Sequence, residues 1–329
     1  MRVLAAVDKF RGTATAAEVA DAICSTAERL GHVGDRAPVS DGGEGWLDAF
    51  GGPNRHTLVT GPLGDSIRAP WRIEDGTAII EMAQASGLLI AGDREGNDPM
   101  AASTSGTGEL IDAALDAGAS RIIVGLGGSA TTDGGFGAVR SLRSRHRLRG
   151  VELLIACDVR TRFTDAARVF GPQKGASPAQ VAMLTGRLER LVQVYREDFG
   201  VDVSELEGAG AAGGLAGGLV ALGGRLVPGF DLLADEVGLA ARTAAADLVI
   251  TGEGYLDEQS FEGKVAGGMS DLAARSGTRI VAIAGDVDPE VAGRIEAVAL
   301  AARFGLDRAM SDTVACIAEV TEELLAISR

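Results

Sequence analysis

The 329-residue chain predicts an α/β protein of two domains. Two patterns carry this. Short apolar, β-rich runs alternate with helical patterns at both ends of the chain, as in a parallel sheet flanked by helices. Between those ends, residues 56–83 read as antiparallel strands joined by hairpins. The chain therefore leaves a Rossmann-like parallel sheet, builds a second, smaller α/β domain inserted into the first, and returns. The expected division is 1–55 plus 240–329 for the parallel domain and 56–239 for the insertion, with 100–135 assignable to either.

Taken in order, Val3 to Val7 forms the first strand and ends at Asp8. A helical pattern from Ala16 to Leu30 follows and stops at Gly31. Asp8 sits where a strand meets its loop, an active-site position in this architecture; the alternative is a cap on the helix. The next strand, Ala37 to Val39, runs into SDGGEG at 40–45, which brings Asp41. The antiparallel stretch carries Leu58-Val59-Thr60, Arg68 to Ile73 and Ala78 to Met82, broken at glycines 61, 64 and 76. Ser105 and Thr107 then stand at the mouth of a helix expected over Glu109 to Ala117, where hydroxyls and N–H groups form an anion site.

The strand Ile122 to Leu126 delivers GGSATTDGG at 127–135, the densest polar loop in the chain. Gly127, Gly128, Ser129 and Thr131 offer backbone and hydroxyl donors to phosphate, and Asp133 can take a metal or a substrate hydroxyl. Residues 140–149 are a basic run read as a solvated connection. The strand Val151 to Ala156 ends at Cys157 and Asp158, with Cys157 read as a structural thiol. Lys174 lies between two turn glycines without the spacing of a P-loop, and a helix spans Pro178 to Asp198. The GxGxxG match at 208–213 lacks a preceding strand, so a dinucleotide site is not supported. DFG at 198–200 has no catalytic loop before it.

Leu248-Val249-Ile250 is a buried strand expected to break into Thr251-Gly252-Glu253-Gly254. Gly252 and Gly254 let backbone N–H groups approach an anion; Glu253 and Asp257 can hold magnesium or take a proton. A helix over Val265 to Arg275, a strand over Ile280 to Gly285, a further helix, a strand over Ala297 to Ala301 and a closing helix from Met310 to Arg329 complete the chain.

Composition narrows the partners. A net charge of −15 and 4% aromatic residues argue against nucleic acid and anionic membranes. Cys24, Cys157 and Cys316 are odd in number and far apart, which fits a reducing cytoplasm rather than a disulfide or zinc framework. The N-terminal MRVLAAVDKF reads as a strand rather than a signal peptide, and no apolar run approaches the roughly 20 residues of a membrane span.

In their order and spacing, the blocks DKFRGT, SDGGEG, SGTGELI, GGSATTDGG, ACDV, FGPQKGAS, GAGAAGGL and ITGEGYLDEQS resemble the bacterial glycerate kinases of the type I family, from Met1 to about Arg303. The resemblance implies ATP-dependent phosphorylation of D-glycerate with magnesium (Mg2+), on two α/β domains with the active site in the cleft between them. Arg11 and Lys174 are then candidates for the substrate carboxylate, and Asp8, Asp133 or Asp158 for the hydroxyl proton. Asp41, Glu253 and Asp257 are candidates for magnesium. Loops 127–135 and 251–254, with Ser105 and Thr107, would cradle phosphates. The family usually reads APDSFKGS where this chain reads AVDKFRGT, so Arg11 stands for a lysine and Lys9 is new. The bridge Arg140 to Val151 is short, and the block after CDV differs. The product leans towards 2-phosphoglycerate, and a homodimer is left open. Two other readings remain: a degenerate homologue that binds a sugar acid, and a nucleotide-coupled dehydrogenase.

Overall fold

A computed structural model describes residues 1–143, 145–261 and 263–327; Ser144, Glu262 and the last two residues, where the closing helix was expected to end, lie outside the described residues. Among the described residues the strands are β1 (Arg2–Val7), β2 (Val33–Pro38), β3 (Arg55–Thr60), β4 (Ser66–Glu74), β5 (Thr77–Glu81), β6 (Arg121–Gly125), β7 (Glu152–Ala156), β8 (Arg225–Val227), β9 (Leu248–Leu256), β10 (Arg279–Val287) and β11 (Ala297–Ala299). They form two sheets in two compact units. The first unit comprises Met1–Asp41, Asp48–Phe50 and Phe230–Arg329; the second comprises Gly42–Leu47 and Gly51–Gly229.

The sheet of the first unit has the order β11-β10-β9-β1-β2, and every pairing is parallel. Val3 to Val7 are fully buried, because helices cover both faces and each face needs an apolar side chain. Helix Ala16–Arg29 lays Val19, Ala20, Ile23 and Ala27 on this core. Its start is fixed by a capping box between Thr15 and Glu18, so Thr15 caps it and Asp8 does not. Helix Thr313–Ile327 adds Cys316, Ile317 and Val320 to the same core. The chain runs from β1 to β2 on one side and returns in β9 on the other. The carboxyl ends of β1 and β9 therefore flank the point where strand order reverses, the place where open α/β sheets put ligands.

One expectation is corrected here. Strand β9 does not break at Thr251. It stays paired to β10 as far as Val287↔Leu256. The glycines serve close strand packing instead of a turn: a Cβ on Gly252 would fall 2.0 Å from the carbonyl oxygen of Ile283.

The second unit holds a mixed sheet of order β3-β4-β5-β6-β7-β8. The hairpins expected between residues 56 and 83 are present as β3, β4 and β5. Strand β5 changes the direction of the sheet, antiparallel to β4 and parallel to β6. Residues 100–135 lie in this unit, because β6 is paired on both sides, to β5 and β7. Helix Ser105–Asp116 begins four residues earlier than Glu109 and buries Leu110 and Ile111 beneath the sheet. Helix Pro178–Phe199 makes a separate cluster with Phe163, Leu184, Leu188 and Tyr195. The basic run is anchored: Arg143 donates to Asp112 at 3.0 Å, and Arg147 to Asp116 at 2.6 Å.

Candidate active site

In the first unit, β1 ends by delivering Asp8, whose N–H donates to the carbonyl of Gly252 at 2.9 Å. This ties the Asp8 backbone to the middle of β9. The Asp8 carboxylate accepts the N–H of Lys9 at 2.7 Å and lies 3.7 Å from the Lys9 ammonium. Burial pushes its pKa up to about 6; Lys9 opposes the rise and Asp41 adds to it. Glu253, on β9, is raised to about 7, again chiefly by burial. Ser260 and Lys264 oppose that shift, and the charges of Asp8 and Asp257 reinforce it. Glu253 Oε1 is buried and has no hydrogen-bond partner among the described residues. Two buried carboxylates that resist ionisation beside other acids are a costly arrangement unless a cation or proton is handled there.

The flanking candidates are held less tightly. Asp257 Oδ1 accepts the N–H of Ser260 at 3.1 Å and its hydroxyl at 3.3 Å, which closes a turn after β9. Gly254 lies against the loop after β1, since a Cβ there would come 3.2 Å from the Arg11 nitrogen. Arg11 itself is exposed. Among the described residues no three His, Cys, Asp or Glu side chains cluster closely enough to hold a metal by themselves.

In the second unit, loop 127–135 leaves β6 and is built from the inside. Lys174 is 3% exposed, and its ammonium donates to Ser129 Oγ at 2.9 Å and to the carbonyl of Thr131 at 2.6 Å. Burial lowers its pKa to about 7, and the Asp133 charge opposes that fall. Asp133 keeps a little exposed surface, but both carboxylate oxygens are engaged. Oδ2 accepts the Thr104 N–H and hydroxyl, each at 2.8 Å, and the Gly137 N–H at 3.1 Å; Oδ1 accepts the Gly135 N–H at 3.0 Å. Burial nonetheless raises its pKa. The N–H groups of Gly127, Gly128 and Ser129 have no acceptor among the described residues, and Gly128 has φ +68°. Successive free N–H groups around a left-handed residue form an anion-binding concavity.

Gly43 of the SDGGEG loop packs directly on Gly127: a Cβ on Gly127 would fall 2.2 Å from the Gly43 Cα. Those two glycine-rich stretches are thus neighbours. Ser105 Oγ pairs with Ser103 Oγ at 2.9 Å near Asp133. Thr107 is fully buried and bonds Ser86 Oγ at 2.9 Å, so its hydroxyl serves the core. Asp158, at the end of β7, accepts the Gly229 N–H at 2.8 Å. Cys157 has its pKa pushed up to about 11 by burial, which disfavours the thiolate at neutral pH.

Several groups escaped the sequence reading. Glu81 is 1% exposed at the end of β5 and accepts the Leu47 N–H at 3.1 Å, anchoring residues 42–47. A carboxylate closing the apolar run TAIIE was a visible signal. Asn97 and Tyr195, which also hold loop 127–135, carry none.

A parallel sheet whose strand order reverses beside two buried carboxylates of raised pKa has the architecture of an α/β enzyme. The comparisons with known proteins narrow this. The profile of the Glycerate kinase family matches residues 3–146 and 142–329. The chain is 38% identical over 331 residues to the glycerate 2-kinase of Escherichia coli, covering 88% of this chain and 87% of that one. It is 38% identical over 328 residues to the glycerate kinase of Bacillus subtilis, covering 87% and 85%. The crystal structure of a Salmonella typhimurium protein, assigned provisionally as glycerate kinase 2, superposes with TM-score 0.79 at 34% identity, over 100% of this chain and 99% of that one. The chain belongs to the glycerate kinase family, and it is a phosphotransferase of that kind.

Proposed function

We propose that the protein transfers the γ-phosphoryl group of ATP to the 2-hydroxyl of D-glycerate. ATP-dependent phosphorylation of glycerate follows from the family; the choice of the 2-position is supported by the glycerate 2-kinase of E. coli among its relatives. The observation that carries the chemistry is the pair Asp8 and Glu253, both with pKa values raised into the range where a proton can be exchanged at neutral pH.

In this reading Asp8 accepts the proton of the attacking hydroxyl. A carboxylate of pKa about 6 is ionised at neutral pH yet basic enough to help. Arg11, exposed beside Gly254, takes the substrate carboxylate or a phosphate through paired N–H donors. The residues present fit magnesium: Glu253 Oε1 is a buried hard donor without a partner, and Mg2+ is usually held by one or two carboxylates plus substrate phosphates and water. Glu253 would hold the ion, with Asp41 and Asp257 through water. Bound there, it would neutralise phosphate charge. The N–H groups of Gly127, Gly128 and Ser129 receive phosphoryl oxygens. Asp133 and Lys174 shape that loop from within and do not touch substrate. Asp158, bonded to the Gly229 N–H, is a second candidate for a proton acceptor. Ser105 lines the same loop, while Thr107 does not. The three free cysteines suit a cytoplasmic enzyme, and among the described residues no helix is long and apolar enough to cross a membrane.

A coupled assay of ADP release with D-glycerate tests the reaction, and phosphorus NMR of the product reads the position. ATP turnover that does not depend on D-glycerate would overturn the proposal. A 3-phosphoglycerate product would overturn the regiochemistry alone.

A further inference from the structure

Beyond β1 the chain runs Asp8-Lys9-Phe10, and its backbone is pinned on both sides of Lys9. The Asp8 N–H donates to the Gly252 carbonyl at 2.9 Å, and the Phe10 N–H to the Ala14 carbonyl at 2.8 Å. The Phe10 side chain is buried, which holds the stretch again. Lys9 therefore leaves a fixed strand end, whereas Arg11 lies in the exposed turn that follows. The Lys9 N–H donates to Asp8 Oδ1 at 2.7 Å, and its ammonium lies 3.7 Å from the same oxygen. The second distance is that of an ion pair and is too long for a hydrogen bond. Asp8 Oδ2 accepts no hydrogen bond among the described residues. The Lys9 and Asp8 side chains are 22% and 13% exposed, enough to meet a small molecule and too little for water to screen the pair fully. The charges of Asp41 and Glu253 bear on Asp8 from a neighbouring loop and strand. An anionic substrate approaching these carboxylates needs a local cation.

We propose that Lys9 receives the substrate's carboxylate and, by standing beside Asp8, selects the hydroxyl next to that carboxylate for phosphorylation. This rests on the function proposed above, with Asp8 as the proton acceptor. In D-glycerate the 2-hydroxyl sits on the carbon that bears the carboxylate, and the 3-hydroxyl is one carbon further away. A 2-hydroxyl that donates to Asp8 Oδ2 brings its carboxylate close to Asp8, within reach of an ammonium one ion-pair distance from that acid. With the 3-hydroxyl in the same place, the carboxylate is displaced by a carbon and the pairing is lost. An ammonium is a compact charge with three donors, so it can face Asp8 and a second carboxylate together. In the transfer the hydroxyl proton goes to Asp8, the oxygen bonds to the γ-phosphorus and ADP leaves, while Lys9 stays protonated throughout. Arg11, in the turn beyond, is left for a phosphate of the nucleotide.

The test measures kcat and KM with D-glycerate and with its neutral methyl ester, for the full-length wild type, Lys9→Met, Lys9→Arg and Arg11→Ala. An inert wild type refutes the proposed function, and this inference with it; every other adverse result below strikes this inference alone. An active wild type should prefer the acid to the ester. Lys9→Met is expected to lose about 100-fold in kcat/KM for the acid, mostly through KM, and under about 10-fold for the ester, as for one lost hydrogen bond to a charged group. KM for ATP should stay close to wild type. Lys9→Arg keeps the charge and should recover most of the loss. Arg11→Ala should retain the preference for the acid. Phosphorus NMR reads the selection: Lys9→Met should form 3-phosphoglycerate beside the 2-phosphoglycerate that the wild type forms alone. A Lys9→Met variant that loses acid and ester by the same factor would show a residue that only supports Asp8, and would overturn the proposal. So would an Arg11→Ala variant that no longer distinguishes acid from ester, a result that decides whether or not Lys9→Met folds.

Discussion

The buried ammonium of Lys174 makes a stability prediction with a defined sign. Its pKa falls from the ordinary 10.5 to about 7 in the folded protein, mainly through burial. Below pH 7 the amine is charged in both states and the desolvation penalty is fully present. Between pH 7 and 10.5 the unfolded chain binds a proton that the folded protein does not, so stability rises with pH across that window. Each unit of pH there contributes about 1.4 kcal/mol from this one group. From pH 7 to pH 9 the wild type should gain roughly 2–3 kcal/mol over Lys174→Met, which cannot titrate. The comparison of the two proteins cancels the other titrating groups. The chain has two tryptophans, Trp46 and Trp71, and both are buried in the second unit with Lys174. Urea unfolding followed by tryptophan fluorescence therefore reads the unit concerned. A wild-type-minus-variant difference that stays flat from pH 6 to pH 9 would refute the claim that this lysine is buried and destabilised as an ammonium.

Four further outcomes follow from the geometry. Asp8→Asn should lower kcat by about 100-fold or more with little change in melting temperature, as expected for lost general-base catalysis; equal kcat in the ADP-release assay would remove Asp8 from the mechanism. Exhaustive chelation should abolish turnover and magnesium should restore it, because Glu253 and its acidic neighbours cannot by themselves offset nucleotide phosphates; turnover in excess EDTA decides against this. Arg11→Ala should cost about 2–4 kcal/mol of transition-state stabilisation in kcat/KM, with Arg11→Lys in between, since Lys keeps the charge and loses the paired donors. Asp133→Asn should lower stability by about 2–4 kcal/mol, because the new amide sets N–H groups against the N–H donors of Thr104, Gly135 or Gly137; a variant with wild-type unfolding in urea would show that this carboxylate does not organise the loop.

Much of the fold was readable because parallel strands buried on both faces are continuous apolar runs. Val3 to Val7 and Leu248-Val249-Ile250 need no alternation, and the hairpin stretch announces itself by glycines at 61, 64 and 76. Boundaries failed where glycine has two uses. Gly252 and Gly254 look like a turn in sequence, yet they admit a neighbouring backbone, and only the pairing with β10 tells the two apart.

The site was legible at the same level: which loops, but not which way each side chain faces. Asp8 and Asp133 both follow a buried strand into a glycine-bearing loop, so sequence ranks them alike. Their surroundings separate them. Asp8 shares its carboxylate with Lys9 and feels Asp41, whereas Asp133 accepts four bonds from Thr104, Gly135 and Gly137. The first carboxylate keeps most of its acceptor capacity open, while the second has most of its capacity tied to the protein's own donors. Tyr195 carries the same lesson in reverse. It sits 61 residues from the carbonyl it holds, on the apolar stripe of an ordinary amphipathic helix, and its phenolic oxygen gains meaning only when Gly134 is packed beneath it. Long-range hydrogen bonds to backbone leave no local pattern, so the residues that hold a loop from a distant helix are the ones a sequence conceals best.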